Sequence, residues 1–270
     1  MVATPIGNLE DMTYRAVRAL KEADLIACED TRQTRKLLDH YGIEKPTVSY
    51  HEHNEMERSR ELAARMLQGA TVALVSDAGM PLISDPGYRL VRAAIDNEIR
   101  IEALPGASAL LTALAASGLP TDSFHFGGFL PAKAGQRQRA LEALKDEPAT
   151  LIFYEAPHRI VEALQAVEQV LGDRTVVVAR ELTKLHEEFL RGKVTEVRAA
   201  LAARDTVKGE ITLLIGKPAG RVETDEPLAE AVEAAIAQGL SRMDTIKAAA
   251  HRRGLSKREA YAELERLKRS

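Results

Sequence analysis

Several short runs of this chain are apolar without interruption, and they constrain the fold more than any other feature. The clearest examples lie at 72–75, 151–154 and 176–179. Strands that are covered on both faces lose the polar alternation that half-exposed strands show. Amphipathic stretches such as 55–68 and 157–171 separate these runs. The alternation predicts an α/β architecture with largely parallel sheets.

The pattern predicts eight strands and three consecutive units. The strands are expected at 2–4, 23–28, 70–76, 99–103, 123–128, 149–154, 174–179 and 209–216. Turn-forming residues in SGLPTD, at 117–122, indicate an internal boundary. We therefore predict an N-terminal α/β domain at 1–117 and a second α/β domain at 118–217. After a linker, a small helical module with a helix-turn-helix-like layout is predicted at 225–270.

Charge is unevenly distributed along the chain. The net charge is −3 overall, yet residues 242–270 hold nine lysines and arginines against four acidic residues. A basic tail on an acidic body indicates an anionic partner that is reached through the tail. There is no uninterrupted apolar stretch of membrane-spanning length, so no membrane partner is expected. The lone Cys28 is consistent with a reducing cytoplasm.

Two loops rich in small residues follow predicted strands and are the best candidates for a ligand site. SDAGMPLISDPG occupies 76–87, and LPGASA occupies 104–109. Open α/β sheets bind ligands at the ends of their strands. Asp77 and Asp85 can accept hydrogen bonds from ligand hydroxyl or ammonium groups. The N–H groups near Ser108, at a predicted helix start, can bind a carboxylate.

Two further segments place charged side chains after predicted strands. In ACEDTRQT, at 27–34, Glu29 and Arg32 would lie at the sheet edge, while Asp30 can cap the following helix. The competing interpretation is a capping segment with solvated charges. In FYEAPHR, at 153–159, Glu155 is a candidate for proton transfer. No metal site is predicted, because the His-Glu-His at 51–53 lacks fitting Cys or His partners.

Taken together, these segments resemble the tetrapyrrole methylase superfamily, whose members bind S-adenosylmethionine between two α/β domains. The likeness spans essentially the whole chain. Within the superfamily, the motifs are similar to the branch that methylates cytidine 2'-oxygens in 16S rRNA, in the decoding centre of the small ribosomal subunit. They are VATPIGNLEDMT, ACEDTR, SDAGMPLISDPG, LPGASA, FYEAPHR, ARELTKLHEE and KGEITLLI. The basic tail resembles the helical module appended in that branch.

The resemblance implies a set of cofactor contacts and partners. S-adenosylmethionine is expected to contact Pro5, Ser76, Asp77, Gly79, Met80, Ser108, Ala109, Tyr154 and Ala179. The resemblance also implies 16S rRNA or the 30S subunit as partner, and a homodimer. The candidate catalytic residues are Glu29, Asp30, Arg32 and Glu155. Two alternatives remain open at this point: a C-methyltransferase acting on a tetrapyrrole precursor, and a non-catalytic RNA-binding assembly factor.

Overall fold

The computed structural model of the protein describes residues 1–218. The helical module predicted at 225–270 lies outside the described residues. Two sheets, each flanked by helices, make up the described part, which confirms the predicted α/β class. None of the helices in residues 1–218 is long and apolar enough to cross a lipid bilayer.

The first sheet is parallel and has three strands in the order β2-β1-β3. These strands are β1 (Leu25–Cys28), β2 (Thr47–Ser49) and β3 (Val72–Leu74). The sequence pattern missed β2, which is only three residues long and whose residues are all half-buried. A strand this short offers too few positions for a periodic signal.

The strands predicted at 2–4 and 99–103 do not form, and only isolated bridges are found near them. Val2 pairs with Leu104, and Thr4 pairs with Gly79. Pro5 has no N–H group to continue a ladder beyond Thr4. Most of the 99–103 segment is exposed, and its pairing with the chain start is confined to Met1 and Val2. The bridges nevertheless hold the chain start beside β3, since the Val2 N–H donates to the Leu74 carbonyl over 2.9 Å.

Four helices cover the two faces of the first sheet. They are α1 (Tyr14–Glu22), α2 (Thr31–His40), α3 (Glu55–Leu67) and α4 (Tyr88–Asp96). Leu20 of α1 and Leu38 of α2 share one apolar cluster with Ile26. Leu62 of α3 and Leu90 of α4 pack on the opposite face. Because both faces are covered, the strands carry apolar residues at consecutive positions, as the sequence indicated.

The second sheet is mixed, which corrects the expectation of largely parallel sheets. Its order is β4-β5-β8-β6-β7, and only β4 and β5 are parallel. For the β6–β7 pair the reason is local: a seven-residue connection joins the two strands, and antiparallel strands can be joined by short turns whereas parallel strands need a long crossover. The strands are β4 (Phe124–Phe129), β5 (Thr150–Glu155), β6 (Thr175–Arg180), β7 (Glu188–Lys193) and β8 (Ile211–Ile215).

Helices also cover both faces of the second sheet. On one face lie α6 (Ala134–Glu142), α7 (Ile160–Leu171) and α8 (Val194–Ala202). The other face is covered by α5 (Ala109–Ser117), whose Ala113 and Leu114 pack against Ile152 and Val177. Ile6, from the start of the chain, joins the same cluster. Helix α5 therefore packs on the second sheet, although the LPGASA loop before it begins beside the first sheet.

Candidate active site

A cavity of about 330 Å³ lies where the strand-end loops of the two sheets meet. The SDAGMPLISDPG loop that follows β3 forms one wall, and the N-terminus of α5 forms another. The ends of β5 and β6 and the beginning of β8 supply most of the rest. The start of β8 reaches this edge because β8 runs antiparallel to both of its neighbours. The volume falls in the range of small-molecule and cofactor sites.

Glycine and left-handed backbone shape the loop after β3. Gly79 has φ +84 and exchanges two backbone hydrogen bonds with Thr4, of 2.9 and 3.0 Å. A Cβ at Gly79 would approach Ile6 Cγ2 to 3.4 Å. Leu82 and Ser84 adopt φ +74 and +65, which side-chain-bearing residues rarely do. Such strain persists only where the surrounding structure fixes it, and it is common around ligand sites.

Seven of the nine sequence-predicted cofactor residues line the cavity: Asp77, Gly79, Met80, Ser108, Ala109, Tyr154 and Ala179. The other two lie behind it. Ser76 is buried, and its hydroxyl donates to the Gly79 carbonyl over 3.2 Å. Pro5 follows Thr4, whose hydroxyl donates to the Ser76 carbonyl. Ser76 and Thr4 therefore support the loop through these hydrogen bonds, and Pro5 lies next to Thr4 outside the cavity lining.

The four candidate catalytic residues are dispersed. Glu155 lines the cavity, whereas Glu29, Asp30 and Arg32 do not. Asp30 caps α2 by accepting the Arg32 N–H over 2.8 Å, and its carboxylate also pairs with the Arg32 guanidinium. This cap agrees with the competing interpretation of ACEDTRQT, that of a capping segment with solvated charges. The Arg32 side chain is 88% exposed, so its free N–H groups are accessible from solvent.

Glu155 is a fully buried carboxylate at the end of β5. Its Oε1 accepts from the Ala156 N–H over 2.7 Å and from the Arg159 guanidinium, and its Oε2 has no partner among residues 1–218. Arg159 also donates to the Leu130 carbonyl, so this guanidinium is held inside the fold. Binding of an RNA phosphate by Arg159 would require these bonds to break.

Acidic side chains gather beside the cavity. Asp77 Oδ1 accepts the Asp30 N–H over 3.1 Å and so joins the loops that follow β1 and β3. Burial raises the pKa of Glu29, and the neighbouring charge of Asp77 raises it further. Burial also raises the pKa of Asp85 to about 6, with a further contribution from Glu29. Residues 1–218 contain no group of three His, Cys, Asp or Glu side chains that could hold a metal ion.

Sequence reasoning missed part of the cavity wall. Gly209, Glu210, Ile211 and Thr212 line it, as do Ile6, Ala78, Ile83, Ser84, Asp85, Phe129, Ala156, Pro157 and Leu182. Asp85 was noted as a hydrogen-bond acceptor but was not among the expected contacts. Phe129 is 56% exposed at the end of edge strand β4, and its ring centroid lies 5.7 Å from that of Tyr154. The two glycines before Phe129 are the sequence signal that could have drawn attention to it, and in the structure they coincide with a register shift.

A model of the family "Tetrapyrrole (Corrin/Porphyrin) Methylases" matches residues 1–198. The chain belongs to the tetrapyrrole methylase family. Two similar relatives are both named "Ribosomal RNA small subunit methyltransferase I". The one from Halalkalibacterium halodurans is 52% identical, with 97% of this chain and 92% of the relative covered. The one from Mesorhizobium japonicum is 55% identical, with 84% of this chain and 77% of the relative covered.

A solved structure shows the same fold at much lower identity. A diphthine synthase is superimposable with a TM-score of 0.62 at 15% identity, over 80% of this chain and 88% of the other. As a tetrapyrrole methylase, this chain is a methyltransferase that uses S-adenosylmethionine. The expected family and cofactor are thereby confirmed.

The cavity fits this cofactor in its shape and in the chemistry of its walls. Ile6, Met80 and Leu182 offer apolar surface, and Asp77 offers an acceptor for hydroxyl or ammonium groups. The first turn of α5 presents backbone N–H groups suited to a carboxylate. Small residues at the loop surfaces let a ligand approach the backbone closely. When bound there, S-adenosylmethionine supplies an activated methyl group.

Proposed function

We propose that this protein transfers a methyl group from S-adenosylmethionine to the 2'-oxygen of a cytidine ribose in 16S rRNA. The observation that supports a ribosomal RNA substrate is the identity of more than half to relatives named for small-subunit rRNA. The choice of a cytidine 2'-oxygen rests on the motif resemblance. The first of these alignments covers 97% of the chain, which takes in nearly all of the segments that build the cavity. The ribosomal substrate, together with the lone Cys28, favours action in the cytoplasm. A homodimer, implied by the family resemblance, stays a prediction.

The proposed reaction mainly requires alignment of the acceptor oxygen, the methyl carbon and the sulfur. The acceptor oxygen must approach the methyl carbon opposite the departing sulfur, and the hydroxyl proton must be lost. Correct positioning of reactants can lower a barrier by roughly 7–11 kcal/mol. We propose that Glu29, which lies close to Asp77 and Asp85 beside the cavity, contributes negative charge near the acceptor hydroxyl, whereas the charge of Glu155 is balanced by Arg159. The exposed Arg32 is suited to an RNA phosphate, because its guanidinium offers N–H groups to solvent at the edge of the first sheet.

Loss of the protein is expected to remove one ribose methyl group from 16S rRNA. The measurement is mass spectrometry of nuclease fragments of 16S rRNA from a strain that lacks the protein and from its parent. One cytidine-containing fragment should be lighter by one methyl group, and the wild-type gene should restore it. A methyl group missing from a base, unchanged rRNA with altered tetrapyrroles, or a subunit-assembly defect without lost methylation would each contradict the proposal.

The basic tail is expected to dock the RNA substrate. Its charge favours phosphate binding, and phosphate neutralisation makes affinity fall as salt concentration rises. Replacing Arg252, Arg253, Lys257 and Arg258 by alanine should weaken binding to 30S subunits and flatten the salt dependence. Affinity for S-adenosylmethionine should stay unchanged, as measured by calorimetry. An unaltered salt slope with 30S subunits would contradict a docking role for these four residues.

A further inference from the structure

We propose that Asp85 accepts the proton of the hydroxyl group that this enzyme methylates. The inference rests on the proposed function, because it assigns a role within transfer of a methyl group to a ribose oxygen. The sequence indicated Asp85 only as an acceptor for ligand hydroxyl or ammonium groups, and it was not among the expected catalytic residues. It belongs to the loop that follows β3 and lines the cavity close to Tyr154, near the end of β5.

Backbone geometry fixes the position of Asp85. The residue immediately before it, Ser84, has φ +65, and Pro86 immediately after it restricts the chain further. A Cβ on Gly128 would lie 3.7 Å from Ser84 Oγ, so this loop reaches the irregular end of β4 in the second sheet. Asp85 is consequently held where the two halves of the cavity wall meet. A group that acts on a reacting atom needs a defined position of this kind.

The other carboxylates on the cavity wall are already engaged. Asp77 accepts the Asp30 N–H, Glu155 is bound by Arg159, and Glu210 pairs with Lys184 over 3.0 Å. The described residues provide no arginine or lysine partner for Asp85; a hydroxyl group, that of Ser76, lies near it. Among the cavity-lining carboxylates of residues 1–218, Asp85 is therefore the one with the least committed oxygen atoms.

The surroundings of Asp85 favour a proton acceptor that works near neutral pH. Glu29 and Asp77 face it from the ends of β1 and β3, and the Tyr154 phenol faces it from β5. Burial, followed by the charge of Glu29, raises the pKa of Asp85 to about 6, while Ser76 opposes the change. A carboxylate of this kind is ionised at neutral pH and is more basic than an ordinary aspartate. General bases are most effective when their pKa lies near the working pH.

The step balances without any further reactant. The hydroxyl oxygen forms a bond to the methyl carbon of S-adenosylmethionine, and the carbon–sulfur bond breaks with its electron pair left on sulfur. The hydroxyl proton moves to a carboxylate oxygen of Asp85. Solvent can take up that proton after the products leave, because the Asp85 side chain is only partly buried.

The test is single-turnover methyl transfer to 30S subunits by the full-length Asp85→Asn variant, from about pH 5 to about pH 9. The wild-type rate should rise with pH through a pKa near 6. Asp85→Asn should be slower by about 10²–10⁴-fold and should lose that rise. Asp85→Glu, which keeps a carboxylate, should retain the rise. The matched control is Asp96→Asn on the exposed face of α4, which should behave as wild type.

Two measurements without turnover separate catalysis from cofactor binding and from folding. Calorimetry should show similar S-adenosylmethionine affinity for wild type and Asp85→Asn. The pKa of Asp85 is about 6 in the folded protein, above the unfolded value of 3.8. The folded protein therefore loses stability as pH rises from about 4 to about 6, because Asp85 ionises less readily when folded. Asp85→Asn should therefore unfold at a higher temperature than wild type at about pH 8, but not at about pH 3.

Distinct results would overturn the inference and the proposed function. A wild-type rate and pH profile in Asp85→Asn would exclude Asp85 as proton acceptor and leave the proposed function intact. A loss of cofactor affinity as large as the loss of rate would make Asp85 a cofactor ligand instead. Failure of the wild-type protein to methylate a cytidine ribose in 30S subunits would remove the proposed function itself.

Discussion

Arg159→Ala is expected to destabilise the protein by about 3–5 kcal/mol, the usual cost of leaving a buried charge without its partner. The Glu155 side chain is fully buried, and the Arg159 guanidinium is its cationic partner. Removing that guanidinium leaves the carboxylate with the Ala156 N–H as its remaining donor among the described residues. The measurement is the free energy of unfolding in urea for the variant and the wild type.

Two further variants give this prediction its controls. Arg92→Ala breaks a pair of the same i,i+4 spacing on α4, but both partners are more than half exposed, so it should cost less than about 1 kcal/mol. Adding Glu155→Gln to Arg159→Ala removes the unpaired charge and should recover part of the loss. If Arg159→Ala costs no more than Arg92→Ala, the Glu155 carboxylate does not depend on this guanidinium.

The parts of the site that the sequence predicted correctly depend on local chemistry. Continuous apolar runs identified β1, β3, β5 and β6, because strands covered on both faces need such residues. The small-residue loop after β3 lines the cavity, as the rule for strand ends in α/β sheets indicates. The cap on α2 was also predictable, since Asp30 stands directly before the helix.

The parts that were missed depend on strand direction, which local patterns do not encode. The apolar run of β8 was identified, but an all-parallel sheet would place its first residues at the edge away from the cavity. Because β8 is inserted antiparallel between β5 and β6, Gly209 and Glu210 lie on the cavity wall instead. Strand β7 was missed for a different reason: it is an edge strand in which no residue is buried, so its sequence EFLRGK carries no apolar run.

Gly209→Ala is expected to reduce both stability and cofactor affinity. Gly209 has φ +89, and a Cβ there would lie 2.3 Å from Glu181 Cγ and 2.4 Å from Cδ. Glu181 Oε1 accepts hydrogen bonds from the Glu210 N–H and from Lys184 Nζ, and the Lys184 ammonium group lowers the pKa of Glu181. Any side chain at 209 must displace this carboxylate and thereby release the cavity-lining segment that begins β8.

Gly118→Ala separates the cost of the backbone conformation from the cost of displacing Glu181. Gly118 has φ +80 at the end of α5, and a Cβ there would meet nothing within 4 Å. Gly118→Ala should therefore cost about 1–2 kcal/mol, the usual penalty for left-handed backbone, and leave cofactor binding intact. Gly209→Ala should lose about 1–3 kcal/mol more through the disrupted hydrogen bonds. Its S-adenosylmethionine affinity should fall about tenfold or more, which corresponds to about 1.4 kcal/mol.

Urea unfolding and calorimetry on both variants measure these differences. Equal stability losses with unchanged affinity in both variants would show that Glu181 does not brace this wall of the cavity.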